Sequence, residues 1–421
     1  MNRRDAIRAL AERSRQVVLL AAVVGLLTGV VVAGFERIVV NGFFDRLLRM
    51  PLWCIAIAPP VGLVLTAGAL RWIGGGASPS TADEYLRAFH DPTYRLGPRA
   101  VAGRFVGGVA TLGFGGAMGL EGMSTYMGAA IGQWVQRRYR RFFPVGTANL
   151  LLVAGAAAGV AAVFKAPATG AVFALEVPYQ DDFARRRLLA ALVAAASGYL
   201  SFVAINGTTP LFAIHGSPAL SATDLWGAVL VGVTAGFGAR LFARLVLLAK
   251  HALLRWGTVT RLAVVAPVLV AAYLIGHALT GEDLVVGAGY HTIAWAVVTN
   301  HSAWIVLVIL LLRCTATAAA IGGGGVGGLF IPLVVAGALL GRTLAGVVGL
   351  DDPTLLVVIG VAAFLGAGYR VPLAGVMFVA EATGRPGFVV PGLLAAVAAE
   401  LVMGTRSVTE YQVRPAAREM G

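Results

Sequence analysis

Glu121 stands between glycines in Gly119-Leu120-Glu121-Gly122, in an apolar surrounding. A carboxylate placed so is costly inside a membrane and functional by default. Read as a helix start, the glycine-flanked segment exposes unpaired N–H groups and the positive end of a dipole. Those groups attract anions without needing a buried Lys or Arg. Burial disfavours the ionised carboxyl and the helix start favours it. When ionised, Glu121 takes an anion's own place; when protonated, it swings away. The alternative is a carboxylate that only caps an interfacial helix end.

The same stretch is written a second time. Gly116 through Glu121 to Gly132 meets Gly325 through Gly328-Leu329-Phe330-Ile331-Pro332 to Gly341 at a shift of 209 positions. Identities fall at Gly116/Gly325, Gly119/Gly328, Leu120/Leu329, Gly128/Gly337, Ala129/Ala338 and Gly132/Gly341. A second block, Phe164-Lys165-Ala166-Pro167 to Glu176, meets Tyr369-Arg370-Val371-Pro372 to Glu381 at a shift of 205. Two blocks at nearly one offset indicate a duplicated chain. Gly- and Pro-broken apolar segments in corresponding positions of two halves belong to a transporter or channel, with the site where the breaks converge. Pro332 suits a first helical turn, where its missing N–H costs little. Gly128, Gly132, Gly337 and Gly341 read as helix-packing positions.

The remaining intramembrane charges are less pointed. Glu176, Glu381 and Lys165 admit structural pairing or interfacial placement, and Glu36 and Glu400 read as interfacial. None of the six His residues has ligand-like spacing, so neither a metal site nor a cofactor is expected.

The elements that must carry these residues lie in a bilayer. Hydrophobic residues make up 58% of the 421, charged residues 13%, and mean hydropathy is +0.83, which excludes an ordinary soluble domain. Uncharged spans long enough to cross include residues 17–35, 51–70, 188–206 and 225–239 with its continuation. Segments 123–135, 168–177 and 372–380 are too short to cross about 30 Å of hydrocarbon as helices. Such pieces survive only where protein or a watery cavity satisfies their backbone.

The net charge of +13 does not indicate nucleic-acid binding. Its arginines sit at segment ends: Arg3, Arg4, Arg8, Arg13 and Arg15; Arg137, Arg138, Arg140 and Arg141; and Arg185–Arg187. That positive-inside pattern places the three clusters, and the N-terminus, in the cytoplasm. The first apolar run is too long for a cleaved signal and reads as a retained helix. Cys54 and Cys314 lie in apolar segments and imply no disulfide framework. Residues 149–177, flanked by two basic clusters, form a hairpin with Lys165-Ala166-Pro167 near its apex. The counterpart around Pro372 lacks a basic flank, as an inverted repeat requires.

These motifs resemble the CLC chloride channel and transporter family over nearly the whole chain. Gly119-Leu120-Glu121-Gly122-Met123 is similar to that family's GKEGP or GREGP motif. Gly328-Leu329-Phe330-Ile331-Pro332 matches its GxFxP motif, and Gly75-Gly76-Ala77-Ser78-Pro79 is a loose counterpart of GSGIP. Ser407-Val408-Thr409 resembles its Ser-Ile/Leu-Tyr segment. The resemblance implies an all-α polytopic membrane protein, an inverted repeat of many tilted, partly re-entrant helices, and a homodimer with one anion pathway per subunit. It puts Glu121 on the gating glutamate. The amides of Leu120, Glu121 and Gly122 fall on the outer anion site, and those of Leu329 and Phe330 on the central one. Gly76 falls on the central serine position and Thr409 on the central tyrosine position, so two hydroxyl contacts are lost or shortened. Leu120 replaces a usual Lys or Arg. Val177 stands where proton-coupled members often carry a second glutamate, and Glu176 is the nearest carboxylate for a proton path.

The expected organisation is a basic cytoplasmic segment at 1–16, membrane repeats at 17–210 and 211–405, and a tail at 406–421. The expected function is transport of chloride or a related anion across the inner, or plasma, membrane of a prokaryote. On Val177 and Thr409, passive conduction gated by Glu121 comes first and proton-coupled antiport second. A membrane-embedded enzyme would need a nucleophile with a base, or a metal cluster, and the sequence offers neither.

Overall fold

The structure is a computed structural model. It describes residues 3–140, 143, 149–209, 212 and 221–414, with residues 3–14 and 222–223 described by backbone alone. The expected repeat boundary at 210/211, Arg141 and residues 415–421 of the tail lie outside the described residues.

The chain is helical almost throughout. Helix α1 (Arg3–Arg37) runs through a π-helical stretch into α2 (Asp45–Leu47), followed by α3 (Leu52–Gly68), α4 (Ala82–His90) and α5 (Pro98–Gly113). Next come α6 (Glu121–Arg138), α7 (Leu150–Phe164), α8 (Pro167–Glu176) and α9 (Leu188–Asn206). The second half holds α10 (Ala222–Leu253), α11 (Thr258–Thr280), α12 (Tyr290–Val298) and α13 (Ala303–Gly322). It closes with α14 (Phe330–Val348), α15 (Thr354–Tyr369), α16 (Pro372–Thr383) and α17 (Val389–Met403). Eight helical spans among the described residues are long and apolar enough to cross a membrane, and the protein is a multi-pass integral membrane protein.

The two halves repeat one plan. Helices α6 and α7 touch backbone to backbone: a Cβ on Gly128 would lie 2.1 Å from the Gly155 carbonyl, and one on Gly132 1.8 Å from that of Leu151. Helices α14 and α15 meet the same way, through Gly337 against Gly360 and Gly341 against Leu356. The packing expected of these four glycines is therefore what they do. Helices α7 and α15 end on residues in the left-handed region, Lys165 (φ 54°) and Arg370 (φ 57°). Two residues on, Pro167 and Pro372 open α8 and α16, where a proline's fixed φ suits the first turn. Helix α7 is buried on every side, from Leu151 to Phe164, so it is apolar all round rather than amphipathic.

Two carboxylates lock the halves together. Glu176, at the end of α8, accepts from the amides of Leu373 (3.1 Å) and Ala374 (2.9 Å) at the start of α16. Glu381, on α16, accepts from the amides of Ala168 (2.9 Å) and Thr169 (2.6 Å) at the start of α8. Each helix start thus has its orphan donors filled by the opposite repeat.

Candidate functional site

The glycine-rich breaks converge as a duplicated chain requires. Gly119 and Gly328 form an isolated antiparallel bridge, each amide donating to the other's carbonyl at 2.9 and 2.7 Å. Threonines at the preceding helices tie the crossing. Thr111 Oγ1 accepts from Val326 N (3.0 Å), and Thr317 Oγ1 donates to the Ala117 carbonyl (2.8 Å). From this bridge α6 and α14 each start two residues on, so their N-termini lie together around one small volume.

Glu121 fills it. The residue is 2% exposed, and its Oε1 accepts from the backbone N–H of Phe330 at 2.7 Å. Its Oε2 has no hydrogen-bond partner among the described residues. The glycines leave room for the carboxylate: a Cβ on Gly119 would lie 1.9 Å from Oε2, and one on Gly328 2.1 Å from Oε1. The carboxylate is thus seated on a helix-start N–H, a donor of the kind that attracts anions in general.

Two cavities border the residues beside this point, one at Leu120 and one at Leu329. The larger, about 360 Å³, is bordered by Leu120, Tyr290 and Thr292 with the charged Glu282, Asp283 and His291. Its floor is the loop before α12, held by Arg313 of α13. This 2%-exposed guanidinium donates to the carbonyls of Leu284, Val286, Gly287 and Ala288. The smaller cavity, about 60 Å³, has room for a few water-sized guests. Ser80, Thr81, Leu329, Tyr369 and Thr409 line it, and Asp83 and Lys250 stand at its rim. There Lys250 Nζ pairs with Asp83 (2.5 Å) and Glu410 (2.6 Å), while His251 also bonds Glu410.

The structure brings together Glu121, Leu120, Gly122, Leu329, Phe330 and Thr409. Thr409 reaches the smaller cavity, but its hydroxyl is paired with Ser407 Oγ at 3.1 Å. Gly76 is not brought there, which corrects its placement at the centre. It borders a separate cavity with Trp72 and Val259, and its N–H returns to the Leu70 carbonyl. The reason is register: α4 starts only at Ala82, so the hydroxyls at its entrance belong to Ser80 and Thr81. Thr81 Oγ1 donates to the Gly327 carbonyl at 2.9 Å. Glu176 is also apart, with both oxygens engaged on α16.

Sequence reasoning missed Tyr369 and Tyr290. Tyr369 is 2% exposed at the end of α15, its hydroxyl turned to the Leu329 amide and within range of the charges of Glu121 and Asp83. Tyr290 feels Glu121 from the side of the larger cavity. A signal for Tyr369 was available, since it replaces Phe164 of the first repeat with a hydroxyl-bearing ring.

The chain is similar to known proteins over most of its length. The family model described as "Voltage gated chloride channel" matches residues 61–404. The H(+)/Cl(-) exchange transporter ClcA of Salmonella paratyphi B is 27% identical, over 96% of this chain and 89% of the relative. ClcA of Vibrio parahaemolyticus is 28% identical, over 95% and 89%. Among solved structures, a CLC-type fluoride/proton antiporter superposes with a TM-score of 0.83 at 23% identity, over 95% of this chain and 98% of that one. A slow cyanobacterial Cl−/H+ antiporter gives 0.80 at 20% identity, over 92% and 94%.

Proposed function

Because the chain belongs to the voltage gated chloride channel family, we propose that it exchanges chloride, or a related anion, for protons, with Glu121 as the group over which both ions compete. The supporting observation is the Phe330 N–H to Glu121 Oε1 bond of 2.7 Å. Ionised, Glu121 blocks the pathway from the anion's own seat. A proton cancels its charge, weakens its hold on the helix start and releases the donors to an anion. Arrival of the anion and departure of the carboxyl are thus one competition, the condition for coupling.

Passive conduction, the first reading from sequence, is the less supported of the two. Curated relatives at 27 and 28% identity are named exchangers. Its argument from Thr409 weakens because Tyr369 brings a hydroxyl to the same cavity. Val177 remains a difference, and Glu176 is not the substitute: its oxygens hold the start of α16.

The amides of Leu120, Glu121 and Gly122 form the seat nearer the larger, outer cavity. Those of Leu329 and Phe330 form the inner seat, with Tyr369, Thr409, Ser80 and Thr81 around it. Residues 17–210 and 211–405 are the two repeats of a subunit that works as a homodimer in a prokaryotic plasma membrane. Its N-terminus and three arginine clusters face the cytoplasm. The test is purified protein in liposomes: an outward chloride gradient should drive protons uphill into the vesicle. Chloride efflux with no proton uptake at all would establish the passive alternative.

A further inference from the structure

At the end of α6, three arginines from two separate segments converge on one cavity of about 460 Å³. Arg137 and Arg140 come from α6 and the turn after it, and Arg95 from the link between α4 and α5. The uncharged polar residues of its wall serve the scaffold. Gln133 accepts from Leu96 N and donates to the Tyr94 carbonyl, both at 2.9 Å. Asn149 donates to the carbonyls of Ala88 (2.8 Å) and Phe89 (3.0 Å), and Gln136 accepts from Leu151 N (2.8 Å). Three chain segments are therefore fastened together around the arginines before any ligand arrives.

Among the described residues, the guanidiniums themselves have no such employment. Among the described residues, no ion pair involves Arg95, Arg137 or Arg140. The neighbouring stretch 141–148 contains no Asp or Glu. Arg95 and Arg140 both act on Arg137 as like charges. The positive-inside rule asks only for basic residues near a helix end, and Arg138, lying over the Tyr139 ring, meets that demand alone. It does not ask for an arginine from another segment to join them around one cavity. Trp134, 64% exposed and a turn above Arg138, marks this end of α6 as the membrane–water interface, where indole rings settle.

We propose that this cavity binds a phosphate-bearing anion, and that its interfacial place favours the phosphodiester headgroup of an acidic lipid over free phosphate. Planar guanidiniums match phosphate oxygens two at a time. Basic cavities beside membrane helices hold acidic headgroups through the same contacts. The site is separate from Glu121 and does not depend on the transport reading.

The experiment is native mass spectrometry of the detergent-purified protein with phosphatidylglycerol, with phosphatidylcholine and with inorganic phosphate. The comparison is Arg95→Gln/Arg137→Gln/Arg140→Gln, with melting temperature as the check on folding. Phosphatidylglycerol adducts should persist on the unaltered protein and fall at least about tenfold on the triple variant, since charge-assisted hydrogen bonds are lost. Adducts with inorganic phosphate alone would keep the site and assign it to a soluble ligand. Equal retention of phosphatidylcholine, or undiminished phosphatidylglycerol on the variant, would overturn the proposal. Should the triple variant fail to fold, Arg95→Gln carries the same comparison, because that residue lies outside α6.

Discussion

Glu121 and Phe330, joined at 2.7 Å, are 209 residues apart, the same interval that maps Gly119 onto Gly328 and Leu120 onto Leu329. The carboxylate is therefore held by the amide of its own counterpart in the other repeat. A duplicated chain that pairs Gly119 with Gly328 places both residues beside its pseudo-two-fold axis. One half supplies a charged side chain there and the other a bare helix start. The proposed exchange rests on that inequality, with a proton-binding group set against a helix start of the kind that attracts anions.

Gly119→Ala tests whether the carboxylate's seat is as tight as it looks. The nearest atoms to the new methyl group are all in the Glu121 side chain, the closest 1.9 Å away. The carboxylate should be pushed off the Phe330 amide while the backbone stays in place. Chloride flux should then lose much of its pH dependence, and adding Glu121→Gln to Gly119→Ala should change little more. Such non-additivity is expected of residues acting on one contact. Independent, additive effects of the two changes would contradict the account.

The sequence was most legible where it repeats. The glycine breaks, the hairpin at Lys165-Ala166-Pro167 and the intramembrane start at Glu121 follow from residue types whose backbone demands are strong. What it hid were contacts set by three-dimensional register. Gly76 misled because nothing in its neighbours fixes where α4 begins; Ser80 and Thr81 take the entrance instead. Structural pairing was open to Glu176 and Glu381 from the sequence, but only the fold shows the partners: they cap each other's helices across more than 190 residues. Arg313 was hidden within an apolar run, and only the folded loop shows the carbonyls it serves.

Tyr369→Phe removes one hydroxyl from the smaller cavity and leaves the ring packed at 5.4 Å from Phe173. One lost hydrogen bond to an anion corresponds to about 1.5–3 kcal/mol at most. Apparent chloride affinity should fall several-fold or more, with folding retained. Thr409→Ala should change it less, because that hydroxyl already bonds Ser407. Isothermal titration with chloride measures both, and the reverse ranking would displace Tyr369 from the site.

The proposed orientation has a simple check. In a background lacking Cys54 and Cys314, single cysteines beside Arg138 and Arg186 should react only with reagent on the cytoplasmic side. A cysteine beside Asp352 should react from outside. Labelling of Asp352 and Arg186 positions from one side would contradict the inverted arrangement of the two hairpins.

Glu410 gives the tail a pH dependence. Burial pushes its carboxyl up, but the hydrogen bonds and charges of Lys250 and His251 outweigh burial and hold it below its ordinary 4.5. A carboxyl lowered by folding stabilises the fold above its unfolded value. That contribution fades as pH falls through the lower, folded value. Glu410 is 28% exposed, so after screening the stabilisation is on the order of 1 kcal/mol or less. Glu410→Gln should melt slightly below the unaltered protein at neutral pH, and the gap should close below pH 4.5. A gap that widened on acidification would have the wrong sign.

The central claim is that proton and anion contend for the seat that Glu121 occupies. The most direct measurement records chloride and proton fluxes together in liposomes for the unaltered protein and for Glu121→Gln. The amide keeps the shape of a protonated carboxyl and cannot ionise. The account predicts that proton movement disappears, that chloride still passes, and that its rate no longer responds to pH. Coupled proton movement surviving in Glu121→Gln would contradict it.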